Sequence, residues 1–431
     1  MPPPIDHTET SAPQQPGETQ QVVESGQAQT ATSPTEKPAS RGVEASWRAW
    51  YEAFRQVWPL YLATRIAFVL LTYLASLFSL QPTPTVGGSS RGGLSPALLL
   101  AAWNRWDSAH FTSIATHGYD TAQRAAFFPL FPLLEKGGAW LTGDPFLAGL
   151  LIANLAALGL FMALYQLLKQ DFGQEIAGRG VLYLAVFPTA FFLAAAYNES
   201  LFILLLLLGF LALRRGAWWW AGLFGFLAAL TRSAGLLLLV PYCYEYLRQQ
   251  HFRLNRIRLD SLSLLLVPLG LGVFMLYCAY RFHDPLAFSH AQAAWLRHLS
   301  LPWKGFSHAF AIILKRPFLS FDAIHNVIDL GAALFMLLLV LLSLVGPWRF
   351  ARELRAYALY ALAAYLFLLL FPAEGGFPLQ SMSRLVLEIF PAFVVLATLG
   401  KRATFHLYYL IFAGILLCFL LLQFLAGYWI V

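Results

Sequence analysis

From Trp58 to the C-terminus the chain alternates long apolar runs with short polar breaks. Many of these runs approach the roughly 20 residues that cross a bilayer as a helix. The pattern predicts about eleven spans, near residues 58–80, 146–168, 180–196, 198–213, 217–231, 233–247, 260–281, 324–346, 355–371, 383–399 and 404–428. The period-two alternation of a membrane barrel is absent. An all-α, polytopic membrane protein is the fold class that results.

Positive charge orders these spans. With the N-terminus in the cytoplasm, the inside segments carry Arg41, Arg48 and Arg55; Lys169 and Arg179; Arg214 and Arg215; Arg248, Arg253, Arg256 and Arg258; Arg349, Arg352 and Arg355; Lys401 and Arg402. The outside connections near Asn198, Thr231 and Gly375 are short and poor in Lys and Arg. This alternation supports both the number and the direction of the spans. Two long loops then fall outside, residues 81–144 and 282–323. Loops of this length are usually functional. In the first, a Pro/Gly/Ser stretch from Gln81 to Gly93 is followed by Leu94–Trp103 and Phe127–Leu141. Both are apolar but too short to span, and they are expected to be interfacial helices or re-entrant segments.

Composition agrees with this picture. Hydrophobic residues make up 58% and charged residues 12%, against about 25% charged in soluble proteins. The net charge of +7 needs no nucleic-acid partner, because basic inside loops already account for it. Residues 1–46 differ, being rich in Pro, Gln, Thr, Ser and Glu. They bury too little to offset their ordering entropy, so a disordered cytoplasmic tail is expected ahead of a membrane domain at 47–431. Cys243, Cys278 and Cys418 lie in or beside apolar segments without metal spacing, and are expected to be buried thiols.

The chemistry concentrates in the first long loop. The run Trp103-Asn104-Arg105-Trp106-Asp107-Ser108-Ala109-His110-Phe111 puts charged and hydrogen-bonding groups at the first membrane exit, where spanning does not require them. Asp107 is suited to open a short helix, Ser108–Thr116, with Gly118 just past its end. His110 falls on the same helix face as Asp107. Arg65, Arg232 and Arg384 lie within or at the ends of spans, where an unpaired ion costs about 2.5–3.5 kcal/mol or more. Each has a bland alternative: Arg65 snorkels, Arg232 anchors at headgroups, and Arg384 pairs with Glu388 four residues on.

The order of the pieces says more than any one of them. Arg105-Trp106-Asp107-Ser108-Ala109-His110-Phe111, then His117-Gly118-Tyr119-Asp120, then Ala126-Phe127-Phe128-Pro129-Leu130-Phe131-Pro132-Leu133, resembles the PIG-V or GPI mannosyltransferase 2 family, polytopic transferases of the GT-C type. Phe187-Pro188-Thr189-Ala190, Tyr197-Asn198-Glu199-Ser200-Leu201-Phe202 and Leu230-Thr231-Arg232-Ser233-Ala234-Gly235 are similar to later blocks of that family, in the same order. The resemblance covers residues 58–240 well; beyond them it rests on topology and on Ser381-Met382-Ser383-Arg384.

The resemblance implies a GT-C-like fold and an outside-facing hexosyltransferase, most simply a mannosyltransferase, that takes its sugar from a polyprenyl phosphate. It implies Asp107 as the catalytic base and inversion at the anomeric carbon. Acceptor classes are a lipid, a glycan or a protein. A carboxylate can take the acceptor's proton, and Arg suits the phosphate that leaves. Arg105, His110, Glu199, Arg232 and Arg384 are candidate substrate-binding residues; for Glu199 a sugar hydroxyl and a helix cap both stand as readings. No Asp-x-Asp, phosphate-loop, dinucleotide or His-Glu-x-x-His motif is present, so no cofactor is expected beyond the lipid-phosphate sugar as co-substrate; a catalytic metal held through Asp107 and its neighbours stays open as an alternative that nothing in the spacing requires. A lipid or sugar transporter and a non-catalytic family member are the competing readings, although no internal repeat of the transporter kind is evident. The compact, Leu-rich build suits a bacterial plasma membrane, or the endoplasmic reticulum in a eukaryote, with the site on the exoplasmic side.

Overall fold

A computed structural model describes residues 38–78, 96–317 and 319–429. The tail expected to be disordered lies outside them up to residue 37, as does the Gln81–Gly93 stretch. The chain divides into two units, Met1–Ser46 and Trp47–Val431, and the second contains the membrane spans. Among its described residues it is helical, and its only extended pairing is one antiparallel bridge, Arg297 to Ala373.

Among the described residues, five helical stretches are long and apolar enough to cross a membrane: Trp47–Leu77, Pro145–Phe172, Leu259–Phe282, Phe321–Leu344 and Ala403–Leu425. They fall on five of the expected spans. The first begins earlier than expected because its polar, aromatic start continues the helix. A bent pair, Met382–Glu388 and Phe390–Leu399, makes a sixth if counted as one span. The remaining expected spans fall on shorter pieces. Gln174–Ala185 stops ahead of Pro188, and a 3-10 turn, Ala190–Leu193, takes over. The proline ring disfavours helical geometry at its predecessor. Glu199–Arg214, Trp218–Thr231, Leu239–Gln249 and Arg355–Leu369 are each 11 to 16 residues long.

The centre of the bundle is Pro145–Phe172, packed against Gln174–Ala185, Glu199–Arg214 and the short Leu130–Thr142 helix. Its buried face carries Ala148, Gly149, Ala153, Ala156 and Ala157. Small residues allow the backbones of neighbouring helices to approach closely, as membrane packing favours. One close approach of backbone to backbone is at Gly235. A Cβ there would overlap the backbone of Ala228 and Ala229. This contact folds the 3-10 turn Ser233–Leu238 back on the Trp218–Thr231 helix and leaves Arg232 at the corner. Of the cysteines, Cys278 is buried as expected, whereas Cys243 and Cys418 are exposed. The outward faces of membrane helices meet lipid, so an apolar neighbourhood along the chain does not require burial within the protein.

The first long loop contains three helical pieces beyond residue 102: Asp107–His117, the 3-10 turn Ala122–Ala126, and Leu130–Thr142. The last buries Glu135, whose side chain has no hydrogen-bond partner among the described residues. Gly149 lies directly opposite it, where an added Cβ would overlap its Oε1. Burial, with Asp144 adding repulsion, pushes the Glu135 carboxyl up to about 9. Its folded value lies above the ordinary one, so folding is favoured most below the ordinary value and stability declines as pH rises towards 9. The melting temperature of the wild type should therefore fall between about pH 5 and 9, as each pH unit weakens the fold by about 1.4 kcal/mol. Glu135→Gln should flatten that decline, and parallel melting curves for the two proteins across this range would contradict it.

Candidate active site

Asp107 opens the Asp107–His117 helix, and the residue before it is strained. Trp106 adopts φ 51° and ψ −115°, a region that costs a bulky residue about 1–3 kcal/mol. Neighbouring bonds hold the turn in place. The Tyr197 hydroxyl donates to the Arg105 carbonyl at 3.1 Å, Ser108 Oγ donates to Asn104 Oδ1 at 2.9 Å, and Trp103 Nε1 donates to Thr72 Oγ1 at 3.1 Å. The helix ends at Gly118 with φ 73°, as the sequence suggested. No side-chain cap forms at its start. The Asp107 carboxylate turns away to Arg384 instead.

Arg384 Nη1 donates to Asp107 Oδ2 at 2.6 Å, across 277 residues of chain. The guanidinium lies over Phe192 and Tyr197, 5.4 and 5.3 Å from the ring centres. Its backbone neighbour Ser383 is held at both ends: its N–H donates to Asp329 Oδ1 at 2.9 Å, and its carbonyl accepts from Thr189 Oγ1 at 2.7 Å. The expected pairing of Arg384 with Glu388 on one helix does not occur. Met382–Leu385 passes into a 3-10 turn, Val386–Glu388, and the chain bends by 88° before Phe390–Leu399. Pro391 at the start of the next helix has no N–H to continue the hydrogen-bond ladder.

The freed groups take other partners. Arg384 Nε lies 3.4 Å from Glu199 Oε1, which also meets Arg232 Nη1 at 3.0 Å. Arg232 Nε reaches Glu388 Oε1 at 3.2 Å, and its Nη1 donates to Asn198 Oδ1 at 3.1 Å. Asp107, Arg384, Glu199, Arg232 and Glu388 thus form one alternating chain of charge. Removing one partner from a buried pair costs about 3–5 kcal/mol, so each member fixes the next. Among the described residues, Glu199 Oε2 is buried without a hydrogen-bond partner.

A cavity of about 470 Å³ opens on this network. Asp107, Asn198, Arg232, Arg297, Arg384 and Glu388 supply its polar wall; Phe127, Phe128, Leu271, Phe288, Trp295 and Trp429 are among its apolar residues. The two long loops meet here. Trp295 of the second packs edge-on against Phe127 of the first, with ring centres 5.6 Å apart.

Of the six candidates read from the sequence, Asp107, Arg232 and Arg384 line the cavity, and Glu199 bonds two of its arginines. Arg105 and His110 are not among the lining residues. Arg105 turns its guanidinium towards Gly427, and only its carbonyl serves the site, by fixing the turn before Asp107. His110 stacks on Phe127 at 4.6 Å, behind the wall. Arg65 lies over the Tyr61 ring at 4.5 Å and does not line the cavity. Arg297 is the addition. Its Nη2 donates to the Gln380 carbonyl at 3.1 Å. In sequence it is one basic residue within the long 282–323 loop, and nonlocal contacts such as the bridge to Ala373 bring it here.

The electrostatics favour an ionised carboxylate beside cations. Burial pushes the Asp107 carboxyl up, but Arg384, Arg232 and His110 together outweigh it and hold it below its ordinary value. Burial pushes His110 below its ordinary value, against the pull of Asp107. Burial and the neighbouring Arg384 charge push Arg297 down to about 10, which still leaves it protonated at neutral pH. Three arginines facing one cavity raise its affinity for an anion, and a carboxylate beside them offers a proton acceptor.

Residues 94–290 match the family model described as Mannosyltransferase (PIG-V). Among curated relatives, GPI alpha-1,6-mannosyltransferase 2 of Mus musculus is 38% identical over 154 residues, 33% of this chain and 31% of that protein. The Homo sapiens protein of the same name is 35% identical over 150 residues, 32% of this chain and 30% of that one. GPI mannosyltransferase 2 of Schizosaccharomyces pombe is 26% identical over 196 residues, 44% and 42% of the two chains. The match to the mouse and human proteins thus spans about three tenths of their length. Among solved structures, ArnT from Cupriavidus metallidurans bound to undecaprenyl phosphate gives a TM-score of 0.43 at 16% identity, over 78% of this chain and 60% of that one. The oligosaccharyltransferase of Archaeoglobus fulgidus gives 0.41 at 13% identity, over 87% and 56%. Residues 94–290, which hold Asp107, Glu199 and Arg232, are thus similar to the mannosyltransferase (PIG-V) family.

Proposed function

We propose that this protein is a membrane glycosyltransferase that moves mannose, or a similar hexose, from a polyprenyl-phosphate donor to an exoplasmic lipid, glycan or protein acceptor. The observation that carries the reading is the meeting of Asp107 with Arg232, Arg297 and Arg384 in one cavity. Asp107 is the base. Arg384 engages Oδ2, and Oδ1 is left to take the acceptor's proton as the new glycosidic bond forms. The bond from the anomeric carbon to the lipid phosphate breaks on the opposite face of the sugar, so the reaction inverts. The departing phosphate gathers negative charge, and the arginines are already fixed to receive it. The apolar wall gives the lipid's first isoprene units a place out of water. The ordered blocks shared with the PIG-V family support mannose as the sugar.

The test uses the full-length protein in sealed vesicles with a synthetic polyprenyl-phosphate mannose labelled in the sugar. A new mannoside on acceptors from the source membrane is the expected product, and GDP-mannose should not replace the donor. Movement of the labelled lipid across the bilayer with no new glycosidic bond would favour transport and overturn this reading. Mass spectrometry of lipids and glycans in cells lacking the protein then names the acceptor.

A further inference from the structure

A second cavity, of about 460 Å³, lies at the other end of a helix that serves the first. Leu369, at the end of Arg355–Leu369, lines the candidate active-site cavity, while Arg355 at its start lines the second one. The 14 steps of helix from one to the other amount to about 21 Å of rise, most of the way across a bilayer core. The walls of the second cavity are Ser343 and Leu344, at the end of Phe321–Leu344, the loop residues Arg349–Arg352, and the first turn of Arg355–Leu369.

Three arginines, Arg349, Arg352 and Arg355, face this space. None has an ion pair among the described residues, in contrast to the neighbouring Arg214, which is paired with Asp171 and Glu245. Glu353 is the only acid in the 349–355 segment. The loop is fixed around its cavity. Phe350 is buried against Phe172 and Tyr357, with ring centres 5.5 and 6.2 Å away, and its N–H donates to the Ser343 carbonyl at 2.9 Å. Arg352 is held through its carbonyl, which accepts from the Tyr244 hydroxyl at 2.9 Å. The start of Arg355–Leu369 adds the positive end of a helix dipole. A pocket of unpaired guanidiniums on a fixed loop between two membrane helices, with apolar walls from Leu344 and Leu359, matches an anionic headgroup carried on acyl chains.

We propose that this cavity binds the phosphate of an anionic phospholipid in the leaflet opposite the candidate active site. The site is independent of the transferase reading, and its test does not use sugar transfer. Full-length protein, stripped of lipid in a neutral detergent, is titrated with short-chain phosphatidylglycerol, phosphatidylcholine and inorganic phosphate, and binding is read by native mass spectrometry and by the shift in melting temperature. Phosphatidylglycerol should bind best. Its affinity should fall about fivefold per arginine removed, so that R349Q/R352Q/R355Q loses on the order of a hundredfold. The triple lysine variant should keep most of the affinity, and R253Q/R256Q, on another basic loop, should be unaffected. Undiminished binding by the triple glutamine variant would overturn the site. Equal loss with R253Q/R256Q would mean diffuse surface charge instead, and equal affinity for inorganic phosphate would overturn the lipid as its source.

Discussion

Asp107→Asn should lower sugar transfer by about 10²–10⁴-fold, the usual contribution of a positioned base, while donor binding persists. The amide keeps an oxygen for Arg384 but cannot accept the acceptor's proton. It also removes the charge that answers Arg384, so the melting temperature should fall, and the measured rate must be compared at a temperature where both proteins are folded. The pH dependence separates base from scaffold. The Asp107 carboxyl is held below its ordinary value, so its ion pair contributes stability above that value and loses it as pH falls through the lowered one. Transfer should accordingly hold steady from neutral pH down past the ordinary range of a carboxylic acid, then fall on the acid side. An Asp107→Asn protein that transfers sugar within about threefold of the wild type would remove the base from the mechanism.

The second large effect is expected at Gly235. An added methyl would overlap the backbone atoms of Ala228 and Ala229, and backbone cannot swing aside as a side chain does. Gly235→Ala should therefore cost about 1–3 kcal/mol or more and push the Ser233–Leu238 turn off the Trp218–Thr231 helix. Arg232 sits at that corner, with its carbonyl accepting from the Gly235 N–H at 2.9 Å, so its bonds to Glu199, Asn198 and Glu388 should loosen together. Melting temperature and transfer rate should drop in the same protein. Gly331→Ala, where a methyl meets nothing within 4 Å, is the matched control and should be neutral or slightly stabilising. Equal melting temperatures for the two variants would show that the contact at Gly235 yields easily.

Apolar length made five of the spans legible, because a helix such as Leu259–Phe282 is specified by its own residues. Hydropathy could not show that 180–196 breaks at Pro188 or that 383–399 turns a corner at Ile389, since a broken segment is as apolar as a straight one. The site divides in the same way. Asp107 stood out because a carboxylate is costly at a membrane exit, and Arg232 and Arg384 because an ion is costly in a span. Glu199 was ambiguous in sequence, where nothing local indicated its contacts with Arg232 and Arg384. Arg105 and His110 were adjacent to Asp107 along the chain, but a helical turn and a strained Trp106 point neighbours in different directions. Arg297 was invisible because its place depends on one loop meeting another, a relation that no local pattern encodes.

The bond between Asp107 and Arg384 has a consequence in time. A ribosome releases the first partner long before the second, and the 277 residues between them include most of the bundle. Until Arg384 arrives, Asp107 lacks the arginine that pairs with it, and Glu199 has Arg232 as its one ion-pair partner. Closing so long a loop is slow relative to local helix formation. The pocket is thus among the last parts of the protein to be finished, and a chain arrested before its final helices has most of its spans and no working centre.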